Sequence, residues 1–402
     1  MLVAPDKFKG SLTAEEVADA VTLGIHDALP GRPVRVVPVA DGGDGTVAAA
    51  LAAGFERIEV AAHGPTDEPL TAIIAVRDGV AVLETAAACG LVWLPGGRLA
   101  PLTATSFGAG ELVRAALDAG CRTIVLGVGG SASTDGGAGL LQALGVGVLD
   151  ADGAPLAHGG GALADVATID LSTMDPRVAG VEIVLACDVD NPLLGPTGAA
   201  AIFGPQKGAD AAQVEQLELG LTHWAKVLTT VTRREVADAP GAGAAGGIGF
   251  GVLAGLGATR RSGIDLLLEL VGFAEALAGA ELVITGEGSL DEQTLHGKAP
   301  AGVADAARRA GTPVVAVAGL CLLSQARLAE AGIAAAYSLS DLEPDPTRSI
   351  ARAAQLVREI SARIATDWLP PNKKPNEKPN EKPNENRPSS QNKSTNENRT
   401  GQ

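Results

Sequence analysis

Met1-Leu2-Val3-Ala4-Pro5-Asp6-Lys7-Phe8-Lys9-Gly10-Ser11-Leu12-Thr13-Ala14-Glu15-Glu16 opens the chain, and its reading sets the architecture. Residues 1–4 are a short apolar run that stops at Pro5-Asp6. A polar loop carrying Lys7, Lys9 and Ser11 follows. A helix then starts near Leu12, with Thr13 as N-cap and Glu16 three residues on, the spacing of a capping box. Strand, polar turn and amphipathic helix make the repeating unit of a parallel sheet with helices on its faces.

The same unit recurs outward from this stretch. Residues 34–39 read as a strand, Asp41-Gly42-Gly43-Asp44-Gly45-Thr46 as a turn and 47–53 as a helix. Further strands are expected at 73–76, 80–83, 123–126, 181–186, 282–285 and 314–318. Helices are expected over 107–119, 211–229, 266–278 and 299–310. The middle of the chain, from about Cys89 to Gly263, is richer in glycine and in long turns than either end. The simplest arrangement is an α/β domain built from both chain ends, 1–85 with 275–370, and a second α/β domain, 86–274, inserted between them.

Composition bounds the function. The 402 residues are 46% hydrophobic and only 2% aromatic, with 52 glycines and a formal net charge of −16. Ala, Val and Leu with many glycines suit tightly packed α/β layers. A nucleic-acid binder would carry a basic face, so that role is not expected. Four scattered cysteines (Cys89, Cys121, Cys187, Cys321) have neither metal-ligand spacing nor the density of a disulfide scaffold, and read as reduced thiols of a cytoplasmic protein. The opening lacks the apolar core of a signal peptide, and the uncharged stretch 240–259 holds eight glycines, too many for a membrane span. Residues 371–402 contain no hydrophobic residue and repeat Pro-Asn-Glu-Lys. They cannot bury apolar surface to offset ordering entropy, and are expected to be a disordered tail outside the enzyme. Its seven basic and four acidic residues leave −19 on residues 1–370.

Open α/β sheets bind ligands beyond the carboxyl ends of their strands, so the polar loops after the strands are where chemistry is sought. The Asp6–Ser11 loop precedes a helix N-terminus and offers an anion cradle, or a solvated turn with surface lysines. Asp41-Gly42-Gly43-Asp44-Gly45-Thr46 combines two carboxylates with backbone that a ligand can approach closely, although such turns also simply cap helices. Gly127 to Gly137, including Gly129, Gly130, Ser131 and Asp135, can present backbone N–H groups to phosphates. Both this loop and Pro240–Gly247 match G-x-G-x-x-[G/A], which keeps a nicotinamide-dependent dehydrogenase as an alternative. No P-loop NTPase signature occurs. Asp188 and Asp190 fall on one side of an extended chain beside Asn191 and could hold Mg²⁺. Lys207 sits on a glycine-flanked turn. Thr285-Gly286-Glu287-Gly288-Ser289-Leu290-Asp291 is followed by His296-Gly297-Lys298; the other four histidines lie away from candidate chemistry. Carboxylates, lysines and glycine loops, without a Cys/His or Ser/His pair of nucleophile and base, fit phosphoryl transfer, which asks mainly for positioning and charge neutralisation.

Six ordered stretches carry a family resemblance: Ala4 to Leu12, Ala40 to Thr46, Gly129 to Gly139, Cys187 to Leu193, Phe203 to Gly208, and Thr285 to Pro300. Together they closely resemble the bacterial type I glycerate kinases. Asp44 stands where Glu is common in that family, and the first strand starts with fewer residues before it.

The resemblance implies a flavodoxin-like domain from both chain ends with an inserted second domain. It also implies ATP- and Mg²⁺-dependent phosphorylation of D-glycerate in organic-acid or glyoxylate breakdown, usually to 2-phosphoglycerate. The expected catalytic groups are Asp188, Asp41 and Lys7, with Asp188 the first choice and Asp41 the second for the acid that takes the hydroxyl proton. Substrate and phosphate contacts are expected from Lys9, Ser11, Gly42, Gly43, Asp44, Gly129, Gly130, Ser131, Asp135, Asn191, Lys207, Thr285, Gly286, Glu287, Asp291 and Lys298. Asp188 and Asp190 are the expected metal ligands. Partners are the small substrate and ATP, with neither nucleic acid nor membrane, for a monomer or homodimer. A sugar-acid sensor that has lost catalysis is the remaining alternative, without a helix-turn-helix or basic patch to support it.

Overall fold

A computed structural model describes residues 1–295 and 297–369. His296 and the tail from 371 lie outside the described residues. The strands, in chain order, are β1 (Leu2–Pro5), β2 (Arg35–Val36), β3 (Glu56–His63), β4 (Pro69–Arg77), β5 (Val80–Glu84), β6 (Thr123–Gly127), β7 (Gly147–Leu149), β8 (Thr168–Asp170), β9 (Glu182–Ala186), β10 (Thr259–Arg261), β11 (Val283–Leu290), β12 (Val314–Cys321) and β13 (Ala335–Ser338).

Two sheets organise the molecule. The first is wholly parallel, ordered β13-β12-β11-β1-β2, with Leu2 opposite Val283 and Val3 opposite Ile284. Counted along the chain its strands fall in the 2-1-3-4-5 order of flavodoxin-like folds, so the expected α/β domain built from both chain ends is present. Helices on both faces explain why β1 reads as an unbroken apolar run: all four of its residues are buried. On one face, the helix Ala14–Ala28 starts at Thr13 with the expected capping box and buries Val17, Ala18, Val21 and Ile25 at helical spacing. It packs beside the terminal helix Ala353–Trp368, so closely that a Cβ on Gly24 would lie 2.1 Å from the Arg358 carbonyl.

The second sheet is mixed, ordered β10-β9-β6-β5-β4-β3, with β10, β9, β6 and β5 parallel and β4 and β3 antiparallel. Its main core gathers Ile74, Leu83, Ile124, Leu126 and Leu185 from the strands with Leu112, Leu140 and Trp224 from the covering helices. Strands β3, β4 and β5 pair here, so sheet membership crosses over within 46–56 rather than at 85. Residues 46–52 form a helix whose Val47 and Ala50 pack, with Leu266, against Val125 and Val184 of this sheet. The helix expected over 266–278 is two helices, Gly263–Leu270 and Phe273–Leu277, separated at Gly272 with φ +67°.

Candidate active site

The carboxyl ends of both sheets face one cavity of about 1220 Å³. Asp6 to Ser11 enter it from β1, Asp41 to Asp44 from the segment after β2, and Glu287 to Ser289 from β11. Glu84 enters from β5, Val128 to Gly130 from β6 and Cys187 to Val189 from β9. In the first sheet the chain leaves β1 toward β2 on one side and later builds β11, β12 and β13 on the other. The β1/β11 boundary is therefore the switch point where such folds bind ligands, and Asp6 and Glu287 stand at it.

Glycines let the two layers meet at the cavity floor. A Cβ on Gly263 would lie 2.4 Å from the Asp41 carbonyl oxygen and 2.8 Å from Gly42 Cα, while one on Gly127 would lie 2.4 Å from the Gly42 carbonyl oxygen. Gly42, at φ +84°, supplies the matching turn. This close approach lets the start of the helix Gly263–Leu270 reach Asp188, whose carboxylate accepts the N–H of Gly263 (2.9 Å) and of Ile264 (3.2 Å). A carboxylate at a helix N-terminus is held rigidly.

The acids are electrostatically crowded. Burial raises Asp188 to about 6, against those backbone N–H bonds and with added repulsion from Asp41. Burial raises Asp6 to about 7, with Lys7 opposing and Asp41 and Glu287 adding to the shift. Glu84 also rises to about 7 on burial, although it accepts the N–H of Gly45 (3.0 Å) and Val47 (2.6 Å). Burial lifts Glu287 as well, while its bond from Thr294 Oγ1 resists. Lys7 is the cation among them: burial pulls its pKa down, but the charges of Asp6 and Asp44 outweigh this and hold it above the ordinary value. Its Nζ lies 3.2 Å from Asp44 and also donates to the Asp44 carbonyl. Lys298 stands 3.7 Å from Glu287 and 3.8 Å from Asp291.

Of the residues expected from sequence, Lys7, Lys9, Ser11, Asp41, Gly43, Asp44, Gly129, Gly130, Asp188, Glu287 and Lys298 line the cavity. Others stand behind it. Thr285 is buried and its Oγ1 donates to the Ala4 carbonyl (2.8 Å), while the Gly286 carbonyl accepts the N–H of Asp6 (2.8 Å). Asp291 accepts the N–H groups of Gln293 and Thr294. Asn191 donates to the Thr197 carbonyl. Asp135 is fully buried, accepting the N–H and hydroxyl of Ser106 and the N–H groups of Gly137 and Gly139. Lys207 is buried beneath the glycine loop, its Nζ donating to Ser131 Oγ (3.0 Å) and the Ser133 carbonyl, and burial lowers it to about 8. Asp190 does not join Asp188; it turns outward to Arg260 at 2.7 Å. Asp6, Glu84 and Glu343 are the cavity acids that the sequence leaves without a role. Asp6 stood inside a quoted motif, but nothing local in the sequence marks Glu84, which is brought in by pairing of β5 with β6.

The dehydrogenase alternative needs each glycine fingerprint to join a strand to a helix. Gly127–Ala132 does follow β6, but the helix after it begins only at Ala138, and Pro240–Gly247 follows no strand.

Crowded carboxylates needing a counter-charge, lysines set among them, and glycine backbone at two facing sheet edges are what phosphoryl transfer asks of a protein, and they set the class as an α/β kinase. The chain belongs to the glycerate kinase family, whose model matches residues 1–369. It is 46% identical over 342 residues to the glycerate kinase of Bacillus subtilis (strain 168), covering 84% of this chain and 90% of that one. It is 44% identical over 343 residues to the glycerate 2-kinase of Escherichia coli (strain K12), with the same coverage. A crystal structure named as a candidate glycerate kinase 2 from Salmonella typhimurium LT2 superposes with a TM-score of 0.79 at 40% identity, covering 91% of this chain and 97% of that one. Among the described residues no helix is long and apolar enough to cross a membrane.

Proposed function

We propose that this protein is an ATP-dependent glycerate kinase of the bacterial type I group that phosphorylates D-glycerate in organic-acid or glyoxylate catabolism, giving 2-phosphoglycerate rather than 3-phosphoglycerate. It works in the cytoplasm as a monomer or homodimer. The observation that carries this reading is Asp188, held by two backbone N–H bonds, lining one cavity together with Lys7 and the switch-point acids Asp6 and Glu287.

Glycerate is a small anion, and Lys7 with Lys9 binds its carboxylate. Asp188 accepts the proton of the attacking hydroxyl. A pKa of about 6 leaves it ionised at neutral pH and a better base than an ordinary carboxylate. Gly129 and Gly130 turn backbone toward the nucleotide phosphates, and Lys298 offsets charge as the phosphoryl group moves.

The donor set fits Mg²⁺: the cavity carboxylates are hard oxygen ligands that repel one another without a cation. Among the described residues no group of three or more His, Cys, Asp or Glu forms a ready-made cage. That suits an ion held by one or two carboxylates and the nucleotide's own phosphates. Asp41 would hold it, with Asp188 kept as the base and Asp190 engaged by Arg260. When bound, the ion neutralises phosphate charge and orients the transferring group.

Asp188→Asn keeps the shape and removes the base. It should lower kcat by at least about 100-fold with an unchanged circular-dichroism spectrum. Asp41→Asn should also lower kcat. Near-wild-type turnover in either variant removes that residue from the mechanism.

A further inference from the structure

The cavity is far larger than glycerate needs, and one wall of it is apolar. Val92 is 85% exposed and Trp93 41%, and both border the cavity beside Ala86, Ala87 and Leu91. Within Ala86–Trp93 the single side-chain nitrogen or oxygen is Trp93 Nε1, and it already donates to the Ala86 carbonyl at 3.2 Å. This ridge is fastened to the glycine loop after β6. Leu91 N–H donates to the Gly130 carbonyl (3.0 Å), Ala132 N–H donates to the Cys89 carbonyl (2.8 Å), and Gly90 bridges Ser131. Gly130, at φ +64°, lies so near Ala86 that a Cβ there would be 3.4 Å from the Ala86 methyl.

We propose that the ridge Ala86–Trp93 is the seat of the purine base of the nucleotide, stacked on Trp93 and Val92, with its phosphates running over Gly129 and Gly130 toward Lys7. The inference rests on the kinase reading above. A flat apolar ring with an anionic extension matches a wall that is greasy at one end and continuous with backbone N–H donors at the other. The other apolar stretch of the lining, Pro344, Pro346 and Ile350, is the less suitable seat, because Glu343, held by Arg348 and Arg352, lies beside it. A ridge without a free polar side chain reads a base by burial and stacking rather than by hydrogen-bond pattern. GTP and ITP should therefore replace ATP with kcat/KM within about tenfold.

The test uses the full chain and two independent readouts: equilibrium binding of ADP, and KM for ATP and for D-glycerate. Val92→Asp sits on an exposed side chain and leaves the core untouched; Trp93→Ala is the second variant. Each should weaken ADP binding and raise the ATP KM about tenfold or more, with the glycerate KM within twofold of wild type. ADP affinity within twofold of wild type in both variants overturns the proposal. So does loss of ADP binding in Ile350→Asp with none in Val92→Asp, or a change of oligomeric state in Val92→Asp with ADP affinity intact. Failure of the kinase reading looks different: wild-type protein would bind ADP, and lose that binding in Val92→Asp, yet release no ADP with D-glycerate present.

Discussion

Asp6 illustrates at the residue scale how this site is held away from the stability optimum. Its ordinary pKa of 3.8 is raised to about 7 by burial, and it is the ionised form that the fold disfavours. A carboxylate whose folded pKa is raised contributes its full stability at low pH and loses it as pH climbs through the folded value. At pH 8 the charge on Asp6 opposes folding by about 4 kcal/mol at most, and relaxation around it brings the cost nearer about 1–2 kcal/mol. The protein without ligand should therefore melt at a higher temperature at pH 6 than at pH 8. Asp6→Asn keeps an acceptor for the Lys7 N–H, seen at 2.7 Å, while removing the charge. It should raise Tm at pH 8, flatten this pH dependence and lower kcat. Calorimetry showing the variant less stable than wild type at pH 8 would refute this account. The pH dependence of activity has the opposite sign. Asp188 must be ionised to accept a proton, so kcat/KM should fall as pH drops through about 6.

At the scale of elements, the site depends on a crossing between the Asp41–Thr46 turn and the helix Gly263–Leu270. Gly263→Ala would place a Cβ 2.4 Å from the Asp41 carbonyl oxygen and 2.9 Å from Asp188 Oδ2, forcing the helix start away. Both N–H bonds to Asp188 would lengthen. We expect kcat to fall at least about tenfold with modest loss of Tm, and wild-type turnover in this variant would show that the crossing does not set the geometry of Asp188. Elements of this kind were legible where their signals were local. The Thr13–Glu16 capping box, the apolar run of β1 and the turn after β2 were all readable, because caps, turns and buried strands are written in neighbouring residues. The break at Gly272 was not, since a single glycine inside an apolar helical pattern does not announce its φ. Strands β3, β7, β8, β10 and β13 were missed as well; β3 alternates with charged residues at a sheet edge, and the other four are only three or four residues long.

Over the whole molecule, long-range pairing decided what the sequence could not express. Residues 56–84 precede the glycine-rich middle and look like more of the first layer, yet the last of their strands, β5, pairs with β6, which lies about 40 residues further on. That pairing brings Glu84 to the cavity and places the apolar ridge after it beside the β6 loop. Lys207 and Asp135 resemble site residues by type, but their depth assigns them to fastening the glycine loop from below. Asp188 and Asp190 are expected on one side of an extended chain, but Asp190 pairs instead with Arg260 from a distant strand while Asp188 accepts the N–H groups of Gly263 and Ile264. The proposed function makes all these parts serve transfer of a phosphoryl group to glycerate. Its most direct measurement incubates the protein with ATP, Mg²⁺ and D-glycerate, follows ADP release, and identifies the product by NMR. ADP release should depend on D-glycerate, with phosphate on the C2 hydroxyl. Absence of glycerate-dependent ADP release would contradict the claim, and phosphate on C3 would contradict its regiochemistry.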